Sequence, residues 1–218
     1  MDRKELKTLA KKRLSENRWP MVLVALVVCL LTGVSSAMSG VRFNVSYEVG
    51  DVSNAYSYQQ SNPVLSLISL LLSIFVISIL TIGASKFYRH NIRENQDAAM
   101  MFDGFKKNYG KNVLTSFLVT IFVFIGCILL IVPGIIVALG LTLVPYILAE
   151  NPDMGAMDII KMSWNKMKGH KWEYFVLVLS FIGWFLLDIL TLGIAGIFYI
   201  HPYAYQTFAN YCDKVLAE

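Results

Sequence analysis

Thirty-six consecutive residues, Val113 to Leu148, carry no acidic or basic side chain. Wound as one helix, such a run extends roughly 54 Å at about 1.5 Å per residue, against a bilayer hydrocarbon core of about 30 Å. A single crossing cannot use it. Pro133-Gly134 falls near its middle, where a residue lacking an N–H and one lacking a Cβ mark a turn. The run therefore reads as two spans, 113–132 and 135–149, folded back on each other.

The rest of the chain follows the same reading. Apolar stretches at 21–40 and 63–85 each approach the roughly 20 residues that a crossing needs. A last apolar region, 172–211, is again too long for one helix, and Thr191-Leu192-Gly193 divides it into 172–190 and 193–211. Hydrophobic residues make up 56% of the chain and charged ones 16%. Soluble domains sit nearer 45–50% and about 25%. The expected fold is an all-α polytopic membrane protein: one integral domain over 1–218, six transmembrane helices in three hairpins, each hairpin preceded by an amphipathic surface helix. The stretch 21–40, with its basic lead and Ser35-Ser36-Ala37, also resembles a cleaved signal peptide, but its long amphipathic lead and near-spanning length favour a retained first span.

Between the first two spans, 41–62 changes character. Val41, Phe43, Val45, Tyr47 and Val49 alternate with polar or small residues, a period of two that suggests a strand within an outer loop. Asn44-Val45-Ser46 has the pattern of a glycosylation sequon. In the second span, Ser66, Ser69 and Ser73 share one helical face that permits close helix approach.

Three polar segments flank the hairpins. Residues 3–18 hold seven basic and two acidic side chains, with Leu6, Leu9, Ala10 and Leu14 along one side. A second surface helix is expected within 86–112. The third, within 151–169, has Asn151 placed as N-cap, Pro152 at its first position and Gly169 as its stop. Met157, Ile160, Trp164 and Met167 form its apolar stripe, and Lys161, Lys166 and Lys168 lie toward its C-terminal end, matching the macrodipole, with Lys171 just beyond. Such helices lie on a membrane surface rather than through it.

Charge asymmetry sets the topology. With six spans, 18 of the 19 Lys and Arg residues fall on one side and Arg42 alone on the other. The positive-inside preference makes that side cytoplasmic, with both termini there. Three membrane approaches, KKRLSENRWPMVLVALVV, FKKNYGKNVLTSFLVTIF and NKMKGHKWEYFVLVLSFI, resemble one another and suggest a repeated unit, although positive-inside and aromatic-belt preferences produce similar strings on their own. Val144-Pro145-Tyr146 and His201-Pro202-Tyr203 are parallel in the returning spans of the second and third units.

The sequence holds no phosphate loop, HExxH, GxSxG elbow or paired-cysteine metal motif, so no catalytic or metal site and no cofactor is expected. Cys29, Cys127 and Cys212 are scattered, and no nucleic-acid module is recognisable. Two ionisable residues lie within the last hairpin. Counting along the helices puts Asp188 near the outer boundary and His201 at mid-depth. Burial of such groups is costly, which makes both candidates for a polar site. Packing accounts for them too: an interfacial seat for Asp188, and a hydrogen bond to a carbonyl freed by Pro202 for His201.

The strings PGII, PYILAENP, MKGHK, LSFIGW and LTLGI, in that order within 132–203, together with NRWP near the start, resemble the bacterial integral-membrane family of unknown function numbered 975. The resemblance implies a bacterial plasma-membrane location and supplies no functional residues. More distantly, the plan is similar to the membrane domain joined to some glycerophosphodiester phosphodiesterases, whose catalytic domain has no counterpart here. The leading expectation is a non-enzymatic protein that binds anionic lipid headgroups or a partner protein, another copy of itself included, through Lys161, Lys166, Lys168 and Lys171 flanked by Trp164 and Trp172. The same helices could instead merely anchor the bundle. The alternative is a transporter or channel component using Asp188 and His201.

Overall fold

The computed structural model describes residues 2–39, 63–106, 108–151 and 153–218, and all regular structure among them is helical. The outer loop 41–62, with its expected strand and Asn44, and the helix-opening Pro152 lie outside the described residues.

Helix α1 (Arg3–Glu16) opens on Asp2, whose carboxylate accepts from the Lys4 N–H, and breaks at Asn17 into α2 (Arg18–Ser39). Helix α3 (Pro63–His90) contains a π turn at Ser73–Ile77, where the Ser78 hydroxyl donates to the Ser73 carbonyl. Helices α4 (Tyr109–Leu129) and α5 (Ile131–Gly140) reverse at Leu130, three residues before the expected turn. Pro133 is tolerated in the first turn of α5, where its missing N–H breaks no helical bond. Gly134 faces α4 so closely that a Cβ would lie 2.9 Å from the Cys127 Cα. The Pro-Gly pair thus lets the two helices touch rather than forming the bend itself.

Helix α6 (Val144–Glu150) continues from α5 after a three-residue break, with Pro145 near its start. Helix α7 (Ala156–Lys166) follows, then α8 (Lys171–Leu179) and α9 (Ile182–Leu190). The chain reverses at Thr191-Leu192-Gly193 as expected: Leu192 and Gly193 both have positive φ, and the Gly193 N–H donates to the Asp188 carbonyl. A π turn at Gly196–Ile200 then leads into α10 (His201–Ala217), again with a proline near its start. The parallel between Pro145-Tyr146 and Pro202-Tyr203 is therefore structural: each proline opens a helix segment after an irregularity, and each tyrosine is buried.

Among the described residues, five helices are long and apolar enough to cross a membrane: Arg18–Ser35, Pro63–His90, Tyr109–Ile128, Val132–Glu150 and Lys171–Leu190. Helix α10, with 17 residues, is not among them, and its buried face carries amides. Asn17 Nδ2 donates to Asn91 Oδ1 at 2.7 Å, Asn91 Nδ2 to Gln206 Oε1 at 2.9 Å, and Gln206 Nε2 to Asn210 Oδ1 at 3.1 Å. Gln206 also donates to the Tyr88 carbonyl, and Asn210 Nδ2 closes the chain on the Leu6 carbonyl at 3.2 Å. These bonds join α1, the α1–α2 break, the end of α3 and α10.

Helix α1 buries Leu6, Ala10 and Leu14, while Leu9 stays exposed. Its stripe packs along α10, so the apolar face expected on a lipid surface is spent largely on protein. Ion pairs gather at the same end, Arg89–Asp213 at 2.8 Å and Lys214–Glu5 at 3.0 Å, with Glu150 3.9 Å from Arg89 and His170 Nε2 3.1 Å from the Glu218 carboxylate. Residues from all four segments that the charge count assigned to one side of a membrane thus meet, Arg89 standing for the segment 86–112.

The connector after His90 turns back along α3 rather than staying at that end. A Cβ on Gly83 would overlap the Met101 carbonyl, Gly104 lies against the Ile79 carbonyl, and the Tyr109 hydroxyl donates to the Phe75 carbonyl at 2.9 Å.

Replacing Asn91 by Leu should lower the unfolding midpoint of the detergent-solubilised protein, because each amide group orphaned in a buried site costs about 1–3 kcal/mol. Gln206→Leu should do the same, and the double replacement should cost less than the two separate losses together. Additive losses would mean that the amides do not act as one network.

Candidate functional site

The third polar segment begins differently from its expected cap. Asn151 closes α6, its N–H donating to the Ile147 carbonyl, and Gly155 with extended backbone opens α7. Asn151 is thus the C-cap of α6 and not the N-cap of α7. Gly169, with φ 87°, stops the segment as expected. The buried stripe of α7 is Ile159, Ile160 and Ser163, continued by Met167, while Met157 turns outward. The Ser163 hydroxyl donates to the Gly140 carbonyl at 2.9 Å, so this face is docked on α5.

The four lysines have distinct surroundings. Lys171 holds its ammonium 3.3 Å from the centroid of the Trp164 ring, a close cation–π contact. Lys166 Nζ reaches the Leu216 carbonyl at the end of α10. Lys168 is exposed, and Lys161 lines an open groove with Asn165 one helical turn away. Trp172 is 71% exposed and packs against Phe175. The groove has a volume of about 410 Å³. Phe122, Ile125 and Gly126 of α4 form one wall and Pro133, Val137 and Leu141 the other, with Ile160 and Trp164 completing it from α7. Trp164 can lie flat there because Gly140 leaves no Cβ to meet its ring.

Asp188 and His201, thirteen positions apart in sequence, are brought together: His201 Nε2 lies 3.3 Å from Asp188 Oδ2. Residue counting puts them at different depths, but helical Cβ atoms tilt toward each helix's own N-terminus. On antiparallel arms the two side chains therefore lean toward each other. A Cβ on Gly196 would overlap the Asp188 carboxylate, so that glycine makes the seat. Asp188 Oδ1 is buried with no hydrogen-bond partner among the described residues. The His201 ring lies over Tyr205, 6.3 Å between centroids.

Three further lysines lie apart from the α7 set. Lys7 of α1 donates to the Ser180 carbonyl, freed at the α8–α9 break, and its ammonium lies 4.5 Å from the Phe181 ring. Burial first, then the neighbouring charges of Arg3 and Lys11, hold its pKa below the ordinary lysine value. Lys86 and Lys106 both bond Asp103, at 2.9 and 3.0 Å. Gln206 and Asn210 did leave a sequence signal, two amides four residues apart in an apolar run, which marks one shared helical face.

Among the described residues no group of three or more His, Cys, Asp or Glu side chains could hold a metal ion. With helices as the regular structure of its described residues, five of them able to cross a membrane, the chain has the build of a polytopic membrane protein. The sequence model of the family described as a protein of unknown function, DUF975, matches residues 64–218, and the chain belongs to that family. No curated protein and no solved structure matches it.

The hydrogen bond from Lys86, reinforced by Lys106, holds the Asp103 carboxyl below the usual carboxylate value. A depressed folded pKa contributes stability that is complete above the unfolded value near 4 and is lost as pH falls through the lower folded value. Melting curves recorded from pH 6 down to about pH 2.5 should show a steeper acid loss for the natural protein than for Asp103→Asn. Parallel curves would deny Asp103 this role.

Proposed function

We propose that the chain is a six-span plasma-membrane protein, both termini cytoplasmic, whose basic cytoplasmic face binds anionic lipid headgroups. The carrying observation is the set of lysines on and just after α7, with Lys161 and Lys168 exposed and Lys171 and Trp172 at the start of an apolar helix. In this reading α10 with its preceding π turn is the sixth span, shielded by neighbours that supply partners for its amides. The meeting of α1, Arg89, Glu150, His170 and Asp213 at one end supports a common side for those segments. Exposed apolar side chains along α2–α5 and α8–α9 give the bundle a lipid-facing surface. Near an anionic surface each lysine contributes about 1 kcal/mol, so four together are a substantial attraction.

The test is lipid enrichment in mixed nanodiscs. Phosphatidylglycerol retained per protein, relative to phosphatidylcholine, should fall when Lys161, Lys166, Lys168 and Lys171 are all replaced by Gln. Unchanged enrichment would reject the headgroup reading.

A second reading rests on Asp188 and His201, whose 3.3 Å pairing across the last hairpin makes one proton-accepting unit. If this pair carries protons through the bundle, proteoliposomes with an entrapped pH dye should take up protons under a pH gradient. Asp188→Asn should abolish the uptake. Uptake equal in both proteins would remove this reading.

A further inference from the structure

The groove between α4, α5 and α7 differs from an ordinary lipid-facing crevice in one respect. Its walls are apolar throughout, yet Lys161 and Asn165 project from one turn of the same helix at its edge. Lys171 holds a second ammonium 3.3 Å from the ring of Trp164, which itself lines the groove. A solvent-filled slot of this composition would be costly in apolar exposure, and a chain of CH₂ groups removes that cost at about 0.8 kcal/mol each. The volume of about 410 Å³ lies within the range of about 300–1,000 Å³ in which proteins hold small ligands. Apolar walls with a cationic edge complement an amphiphile that carries negative charge at one end.

We infer that this groove is a specific site for one anionic phospholipid, with an acyl chain along Phe122, Ile125 and Val137 and the phosphate beside Lys161, Asn165 and Lys171. The inference rests on the headgroup reading above and sharpens it from a diffuse surface attraction to one seated lipid. Trp164 is then the reporter as well as the wall. Its ring lines the groove and lies 3.3 Å from the Lys171 ammonium, so both parts of the lipid register at one side chain. Lys166, bonded to the end of α10, belongs to packing rather than to this site.

The experiment uses the full chain with Trp19, Trp172 and Trp184 changed to Phe, leaving Trp164 as the only tryptophan. Its fluorescence is measured in proteoliposomes holding phosphatidylglycerol or phosphatidylcholine with brominated acyl chains, in trace amounts within unlabelled lipid. Quenching should saturate at a low fraction of brominated phosphatidylglycerol and be weaker for the choline lipid. Val137→Phe, which fills the groove, should reduce quenching by either lipid. Ile125→Phe, at a half-exposed position that leaves the core untouched, provides the same test if the first variant is unstable. Lys161→Gln should lower the preference for phosphatidylglycerol by about fivefold, the worth of one basic residue at an anionic surface.

Quenching equal for both lipids and indifferent to the filling variants overturns the inference and makes the groove bulk lipid surface. If the four-lysine variant nonetheless loses anionic enrichment in nanodiscs, the headgroup reading stands and only the seated lipid falls. Stronger quenching by a brominated free fatty acid than by phosphatidylglycerol also overturns it.

Discussion

The amide chain from Asn17 through Asn91, Gln206 and Asn210 to the Leu6 carbonyl is the constraint on which the bundle depends. Asn91 and Gln206 are fully buried and Asn210 nearly so. An amide in such a place is costly unless its groups find partners, and here each amide is supplied by the next. The bonds are directional, so they fix rotation and height in a way that apolar packing alone does not. They tie the start of the chain to its end, with the end of α3 between them. That is why α10 can be polar and still sit at the centre.

Glycines set the remaining distances. Gly83 and Gly104 bring the connector after His90 onto the flank of α3, Gly134 brings α5 onto α4, and Gly140 admits the Trp164 ring. Apolar helices in lipid gain nothing by hiding from water, and close backbone approach supplies dispersion instead. The contact between Ser35 and Ser69 works the same way: the Ser69 hydroxyl donates to the Ser35 carbonyl at 2.8 Å, joining α2 to α3.

Features governed by local chemistry were legible in the sequence. The charge-free run had to reverse, Leu192-Gly193 had to turn, and Gly169 had to stop a helix, because each follows from length or backbone freedom. The one-sided distribution of Lys and Arg foretold which segments would meet. Tertiary choices were not legible. Asn151 suits either a helix start or a helix end, and only the path of α6 decides between them. The α7 stripe rotated from Met157 toward Ile159 because α5 offers the Gly140 carbonyl to Ser163. Asp188 and His201 met although counting separated them, since depth along an axis ignores the lean of side chains on antiparallel helices.

The same distinction governs how the basic charge should be weighed. Lys7 caps the carbonyl freed at Ser180, Arg13 donates to the carbonyls of Ile92 and Arg93, Arg89 binds Asp213, and Lys86 and Lys106 share Asp103. Those charges are committed to joining segments, and an anionic membrane surface would have to compete with partners already in place. A net charge of +4 therefore overstates what the molecule can offer a lipid if it is spread evenly over its lysines and arginines. Lys161 and Lys168 stand exposed on the α7 segment, and Lys171 packs its ammonium on an aromatic face. On the proposed headgroup reading, electrostatic attraction is thus concentrated beside the apolar groove, where one lipid would meet both.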